Sequence, residues 1–386
     1  MGNLRMKRAE IITGDVLEVL KTLASDSVHC VVTSPPYWGL RDYGVEGQLG
    51  LEKTPEEYIE KMVEIFREVR RVLRKDGTLF LNLGDSYWGG KSAWATEIEQ
   101  KKKRDGNANL PQKGYGNLKP KDLCMIPARV AIALQADGWW LRSDIIWHKP
   151  NPMPSSVEDR PTTCHEYLFL LTKSAKYYYD AEAVREPHQA DTIARKDNAG
   201  RKKQPKKGAD KFTYQMDKVY LNPVGRNKRS VWTIATQPFS DAHFATFPEK
   251  LVEPCILAGS SEVGSCPECG MPWERIVEKT GGTTGKSWHD HSDDLGGGLS
   301  QSSRTDIPTE GYSRKTIGWE CNCNCGTSRE DAVPCVVMDP FCGSGTTGVV
   351  ALKHRRHFIG IELNPEYVQM AEKRMAPYIN QPELAL

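Results

Sequence analysis

Three short stretches of the 386-residue chain combine residue types and spacings suited to chemistry. Near the C-terminus an apolar strand, Val336 to Met338, runs into Asp339-Pro340-Phe341-Cys342-Gly343-Ser344-Gly345-Thr346-Thr347, where a helix begins. Glycines at a strand-to-helix turn let the backbone approach a ligand closely, and the helix start offers free amides to a carboxylate or phosphate. Such a turn alone is equally an ordinary tight connection. The next strand, HFIGIEL, ends in Glu362, 17 residues beyond Gly345. An acid at the tip of the following parallel strand is where doubly wound nucleoside folds hold a ribose diol. The NTPase pattern GxxxxGK[ST] is absent, so the preferred reading is a nucleoside cofactor without a pyrophosphate, which S-adenosylmethionine fits.

The second stretch, Ser34-Pro35-Pro36-Tyr37-Trp38, closes the apolar strand HCVVT. Two prolines fix the backbone and aim a carbonyl, the serine adds a hydroxyl acceptor, and the neighbouring aromatic can stack on a planar ring. That set suits an exocyclic amino group on a base turned out of its stack. The alternative is a Pro-Pro turn beside a packed Tyr-Trp pair.

Together, DPFCGSGTT with RHFIGIELNPEY and SPPY resemble the motifs of the amino-methylating DNA methyltransferases. The resemblance spans roughly residues 10–173 and 237–378, and the motif order, catalytic before cofactor, is that of the permuted beta arrangement. It implies an α/β methyltransferase fold: a doubly wound, mostly parallel, circularly permuted sheet with an inserted target-recognition region and a small zinc-ribbon insert. It implies further that Asp339, Phe341, Gly343, Gly345 and Thr346 line S-adenosylmethionine and that Glu362 binds the ribose. Gly14-Asp15 resembles the family's GD motif near the adenine amino group, and AHFATFPEKLVEP adds His243, Phe247 and Pro248. In the catalytic motif, Ser34 and the Pro36 carbonyl are expected to contact the target amino group, Pro35 to stiffen the loop and Tyr37 to stack on the base. Serine in the first position favours N4 of cytosine over N6 of adenine. IIWHKPNPMPSS also looks like a family motif, with Trp147, Lys149 and Asn151 bordering the base pocket or simply packing.

These residues must be positioned by alternating strands and helices. The patterns predict strands at Glu10–Thr13, His29–Thr33, TLFLNLGD, LRSDIIWHKP and HEYLFLLTK, and helices at Val16–Leu23, Tyr58–Leu73 and Met125–Gly138. Asp76-Gly77 is expected to end the second helix, and 91–120 reads as a mobile loop. The expected domains are 1–173 (catalytic half), 174–238 (target-recognition insertion), 239–263 (cofactor-flanking helix), 264–330 (zinc-ribbon-like insert) and 331–386 (cofactor half).

The third stretch holds cysteines. Cys266-Pro-Glu-Cys269-Gly has knuckle spacing, and Cys321, Cys323 and Cys325 follow some fifty residues later. Four thiolates in two short pairs suit a tetrahedral structural zinc. The second half departs from CxxC, but Trp319 followed by CxC resembles the partner half in phage and prophage relatives. The resemblance therefore selects Cys266, Cys269, Cys323 and Cys325, with Cys321 as competitor.

A net charge of +2 excludes a global polycation, so nucleic-acid contact must come from a local patch. Residues 186–229 supply 12 Lys or Arg against 5 Asp or Glu, with KKQPKK at 202–207, either a phosphate-binding surface or a solvated loop. No apolar run is long enough to span a membrane and no secretory signal is visible, so the expected setting is the cytoplasm: a bacterial nucleoid, or a phage-infected host. Double-stranded DNA is the expected partner, with a cognate restriction endonuclease as a second; the oligomeric state is left open. Competing readings are an N6-adenine methylase, an RNA-modifying enzyme, and an inactive zinc-containing DNA-binding protein.

Overall fold

A computed structural model describes residues 7–40, 44–88, 116–188, 224–237, 247–280 and 313–379. The basic run at 202–207, His243, and residues 91–115 of the expected loop lie outside them. The chain divides into two compact units, 1–180 with 229–274 and 321–386, and 181–228 with 275–320.

The larger unit is built on an eight-stranded sheet. Its strands are β1 (Ala9–Thr13), β2 (Val28–Thr33), β3 (Leu73–Leu83), β4 (Trp140–His148), β5 (His165–Thr172), β6 (Val231–Thr233), β9 (Val336–Asp339) and β10 (His357–Glu362). They lie in the order β1-β10-β9-β2-β3-β5-β4-β6. The run from β1 to β3 is parallel, β5 is antiparallel to both its neighbours, and β6 is parallel to β4. The first strand thus pairs with the last, Thr13 opposite Glu362. Every residue of β2 is buried, as expected of a central parallel strand covered on both faces.

Helices α1 (Val16–Thr22), α2 (Pro55–Val72) and α3 (Ile126–Ala136) pack together on one face, and α4 (Glu249–Gly259), α5 (Thr346–Lys353) and α6 (Pro365–Ile379) on the other. Alternation along β3 separates the two cores. Leu79, Leu81 and Leu83 join Tyr58, Met62, Phe66 and Val69 of α2, whereas Thr78 and Phe80 face α4 at Gly259. The amphipathic α2 starts where proline and a threonine cap direct it, with Thr54 Oγ1 accepting from Glu57 N at 3.1 Å.

Two boundaries differ from expectation. Helix α2 ends at Val72, and Asp76-Gly77 lies inside β3, where the register with β2 jumps from Val28↔Leu73 to Cys30↔Thr78. The Asp-Gly pair breaks the pattern as a bulge, clasped by Arg74 on Asp76 at 3.0 Å. Val231–Thr233, within the expected insertion, is the edge strand of the main sheet because Trp232 turns into its core. The smaller unit holds the pair β7 (Glu274–Thr280) and β8 (Ser313–Glu320), with Glu186 and Arg226 exchanging backbone bonds at 2.8 and 2.9 Å. No helix among the described residues is long and apolar enough to cross a membrane.

At the amino ends of the strands, buried His29 joins three parts of the larger unit. Its Nδ1 accepts from Val336 N at 3.0 Å, which leaves the proton on Nε2 to donate to the Gly270 carbonyl at 2.9 Å. Burial, aided by Arg74, pulls its pKa down to about 4. The folded protein therefore keeps His29 neutral while the unfolded chain takes up a proton near pH 6.5. Stability falls as pH drops below that value, with the loss complete near pH 4 and worth on the order of 3 kcal/mol. Thermal midpoints between pH 7.5 and pH 5 should fall more steeply for the wild type than for His29→Asn; equal slopes would show that His29 does not titrate with unfolding.

Candidate active site

The sheet reverses direction of winding between β9 and β2, and ligands in such folds sit at the carboxyl ends of the strands at that point. Here the two strands release the two loops singled out from sequence. A cleft of about 1140 Å³ opens there, lined by Ser34, Pro35, Pro36 and Tyr37 from one loop and by Phe341, Gly343, Ser344 and Thr346 from the other. Asp15, Phe247 and Glu362 also line it, as do Trp147, Lys149 and Asn151.

The glycine-rich loop is held by two carboxylates. Glu362 Oε2 accepts from Gly343 N at 2.7 Å and Oε1 from Asn364 N at 2.9 Å, while burial raises its pKa. Asp339 is 1% exposed and accepts from Thr33 Oγ1 at 2.7 Å, Thr347 Oγ1 at 2.8 Å and Phe341 N at 3.0 Å. Burial lifts its pKa to about 6 against the pull of those bonds. Gly345 caps α5 with φ 77°, and a β-carbon there would lie 2.7 Å from Ala371 Cβ. With Gly348 the loop has GxGxxG spacing, which dinucleotide folds share, so its spacing alone does not select the nucleoside.

Asp339, Gly345 and Pro248 do not line the cleft. Asp339 and Gly345 act behind it, as tether and turn, and Pro248 is buried at the start of α4. Asp15 meets the cleft while capping α1, accepting from Leu17 N at 2.9 Å and Glu18 N at 3.1 Å.

In the proline loop, the Tyr37 hydroxyl lies 2.9 Å from Asn82 Oδ1 and 2.8 Å from Glu166 Oε2. Ser34 Oγ lies 3.2 Å from Asn82 Oδ1 and 3.3 Å from the Tyr37 hydroxyl. Lys149 pairs with the other oxygen of Glu166 and sits 4.3 Å from the Trp147 ring centre. Burial and the Glu166 charge push the Tyr37 phenol well above its ordinary range, so it stays protonated. Gly84 makes room for the ring, since a β-carbon there would fall 2.6 Å from Tyr37 Cε2.

The Pro36 carbonyl, expected to contact the target amino group, accepts the hydroxyl of fully buried Tyr58 at 2.9 Å, which occupies one of its two lone pairs. Asn82 and Glu166 escaped the sequence reading although each carries a signal: a polar residue inside the apolar run TLFLNL, and an acid leading HEYLFLL.

The four cysteines Cys266, Cys269, Cys323 and Cys325 have their sulfurs within 4.8 Å of one another. Cys321 stands outside the quartet, its thiol directed to Met271 O at 3.6 Å and Cys323 Sγ at 3.3 Å. The knuckle is docked at the amino end of the sheet, where Arg74 donates to Cys269 O at 2.8 Å beside the His29 contact.

Asp339→Ala removes the acceptor shared by both loops and strands the Thr33 hydroxyl in the core. Nucleoside affinity should fall tenfold or more by titration calorimetry with S-adenosylhomocysteine, while Asp339→Asn, which keeps one acceptor oxygen, loses less. Unchanged affinity in Asp339→Ala would show that the loop holds its shape without the tether.

The model of the DNA methylase family matches residues 28–266 and 333–373, thus both loops. Type II methyltransferase M.Cfr9I of Citrobacter freundii is 40% identical over 372 residues, 96% of this chain and 89% of that protein. Type II methyltransferase M.SmaI of Serratia marcescens is 38% identical over 370 residues, 96% and 91% of the two. The solved PvuII DNA methyltransferase (cytosine-N4-specific) shares the fold at a TM-score of 0.51 and 16% identity, covering 98% of this chain and 88% of that one. With near full-length relatives and both loops inside the matched regions, this chain belongs to the family of DNA methylases that act on exocyclic amino groups.

Proposed function

We propose that this methylase transfers the methyl group of S-adenosylmethionine to N4 of cytosine at a specific site in duplex DNA, with the base turned out of the helix. The observation that carries the reading is the shared cleft: a nucleoside loop and a serine-headed proline loop face one space. In it the ribose diol meets Glu362, Phe341 and the Gly343 backbone line the nucleoside, and Asp15 lies at the adenine end. The serine is what favours cytosine, since the resembled family carries Ser at this position more often in its N4-cytosine members and Asp or Asn in its N6-adenine members. Pro35 and Pro36 both line the cleft and stiffen the loop that carries the Pro36 carbonyl, whose second lone pair is assigned to the amino group. Tyr37 offers its ring to the extruded base.

The amino nitrogen attacks the methyl carbon directly, and no cysteine need add to the ring; Cys342 is buried with its thiol pushed well above its ordinary range. The stretch 174–238, with its basic run, is assigned to target recognition, and the kinship to Type II methyltransferases supports a restriction endonuclease of the same specificity as partner. Cys266, Cys269, Cys323 and Cys325 are assigned to one structural zinc. Structural sites of four thiolates hold zinc at about 2.3 Å, and the four ligand sulfurs here lie within 4.8 Å of one another.

Genomic DNA incubated with enzyme and S-adenosylmethionine, digested and analysed by mass spectrometry, should yield N4-methylcytosine; N6-methyladenine would overturn the base assignment alone, and no product the enzymatic reading. Purified protein should contain one zinc per chain. Because the cluster and the cleft occupy opposite ends of the strands, chelation should lower the thermal midpoint before it changes S-adenosylhomocysteine affinity, and metal-free protein of equal stability would remove the zinc.

A further inference from the structure

Resting on that reading, we infer that Glu166 sets the direction of a hydrogen-bond chain ending at Ser34, and is thereby a positioning residue for methyl transfer. The chain contains two hydroxyl protons and more acceptors than protons. Glu166 is ion-paired with Lys149, an ionised carboxylate oxygen only accepts, and Oε2 lies 2.8 Å from the Tyr37 hydroxyl. That contact requires the Tyr37 proton. The amide of Asn82 is equally fixed, because its Nδ2 donates to the Tyr167 carbonyl at 3.0 Å and so turns Oδ1 toward the hydroxyls.

Ser34 then meets two acceptors, Asn82 Oδ1 at 3.2 Å and the Tyr37 oxygen at 3.3 Å, and must donate to one of them. Ser34 lines the cleft, so the lone pairs left on its oxygen are available to a ligand there. An amino group arriving there finds an oxygen that can only accept, and accepting an amino hydrogen draws the nitrogen lone pair out of the ring toward the methyl carbon. Without the carboxylate, Tyr37 could turn its proton to Asn82 or Ser34, and Ser34 could then donate toward the base.

The same chain carries away the proton that the reaction releases. As the N–C bond forms and the S–C bond of the methyl donor breaks, the amino group passes one proton to Ser34 Oγ. Ser34 passes its own to Tyr37, and Tyr37 passes its own to Glu166. Both hydroxyls end neutral and Glu166 ends protonated. An aminium conjugated to a base ring is a strong acid, so a carboxylate beside a lysine is a sufficient acceptor.

The test is single-turnover methylation of duplex DNA by full-length Glu166→Gln, Glu166→Asp, Tyr37→Phe and the double variant Glu166→Gln/Tyr37→Phe. Glu166→Gln, nearly isosteric, should lose about tenfold or more in the methyl-transfer rate, with S-adenosylhomocysteine and DNA affinities within about twofold of wild type. Glu166→Asp, which keeps the carboxylate, should retain more. The double variant should be no slower than the worse single one, since both break one chain. A transfer rate in Glu166→Gln within twofold of wild type, or losses that multiply in the double variant, would overturn the inference. Should Glu166→Gln not fold, a Tyr37→Phe rate equal to wild type overturns it and a tenfold loss supports it. Wild-type protein that methylates no amino group would instead sink the functional reading, which keeps the two failures apart.

Discussion

The buried carboxylate of Asp339 is the contact on which the working end of the molecule depends. It ends β9, yet its three partners belong to three other pieces: the last residue of β2, the first turn of α5 and the glycine-rich loop. Thr33 is the residue immediately before Ser34, the serine proposed to meet the target amino group. One acceptor group therefore ties the end of β2 to the glycine-rich loop proposed to receive the nucleoside. Parallel strands by themselves set only backbone spacing, whereas methyl transfer requires two reacting atoms held within a fraction of an ångström. Burying a charged group is costly, and three donors offset enough of that cost to keep the tether; the lifted pKa records what remains.

Permutation makes this tether necessary. The first strand lies beside the last, and β2 precedes β9 by some three hundred residues, including the whole second unit. No local turn can set the register between them. Two contacts at opposite ends do so: Thr33 with Asp339 at the carboxyl ends, and His29 with Val336 N at the amino ends. His29 also reaches the cysteine knuckle, so the four clustered cysteines sit at the end of the strands opposite the cleft.

Much of this was legible in the chain. Apolar runs ending in Pro-Pro, in Asp-Pro or in Glu-Leu marked the carboxyl ends of β2, β9 and β10, and the loops following them were recognisable because proline and glycine act through local backbone geometry. What stayed hidden was contact between distant residues. Pairing of β6 with the main sheet depends on one inward tryptophan in a polar stretch, and a three-residue strand has no periodicity to read. The bulge in β3 looked like a helix end because Asp-Gly breaks either pattern. The Pro36 carbonyl could not be oriented from sequence, since that requires knowing that Tyr58, twenty-two residues on, points its hydroxyl back at it. Asn82 and Glu166 were visible only as polar interruptions in apolar strands, and their role exists only once β3, β5 and the proline loop lie side by side.

Anchoring of Tyr37 explains why this position carries a phenol and not a plain ring. A base leaving the duplex has already lost its stacking and pairing, so a receptor that must still order itself adds to that cost. The Tyr37 hydroxyl is tied to Asn82 and Glu166, and the ring edge lies against the bare Gly84 backbone. The ring is thereby fixed in advance of the base it is proposed to receive, at the expense of having its phenol buried beside a carboxylate. Phenylalanine would present the same face to a base but would leave Glu166 facing Lys149 alone and Ser34 free to choose its acceptor. On the proposed reading, stacking surface and hydrogen-bond direction are thus supplied by one side chain, and the Glu166 carboxylate couples the two.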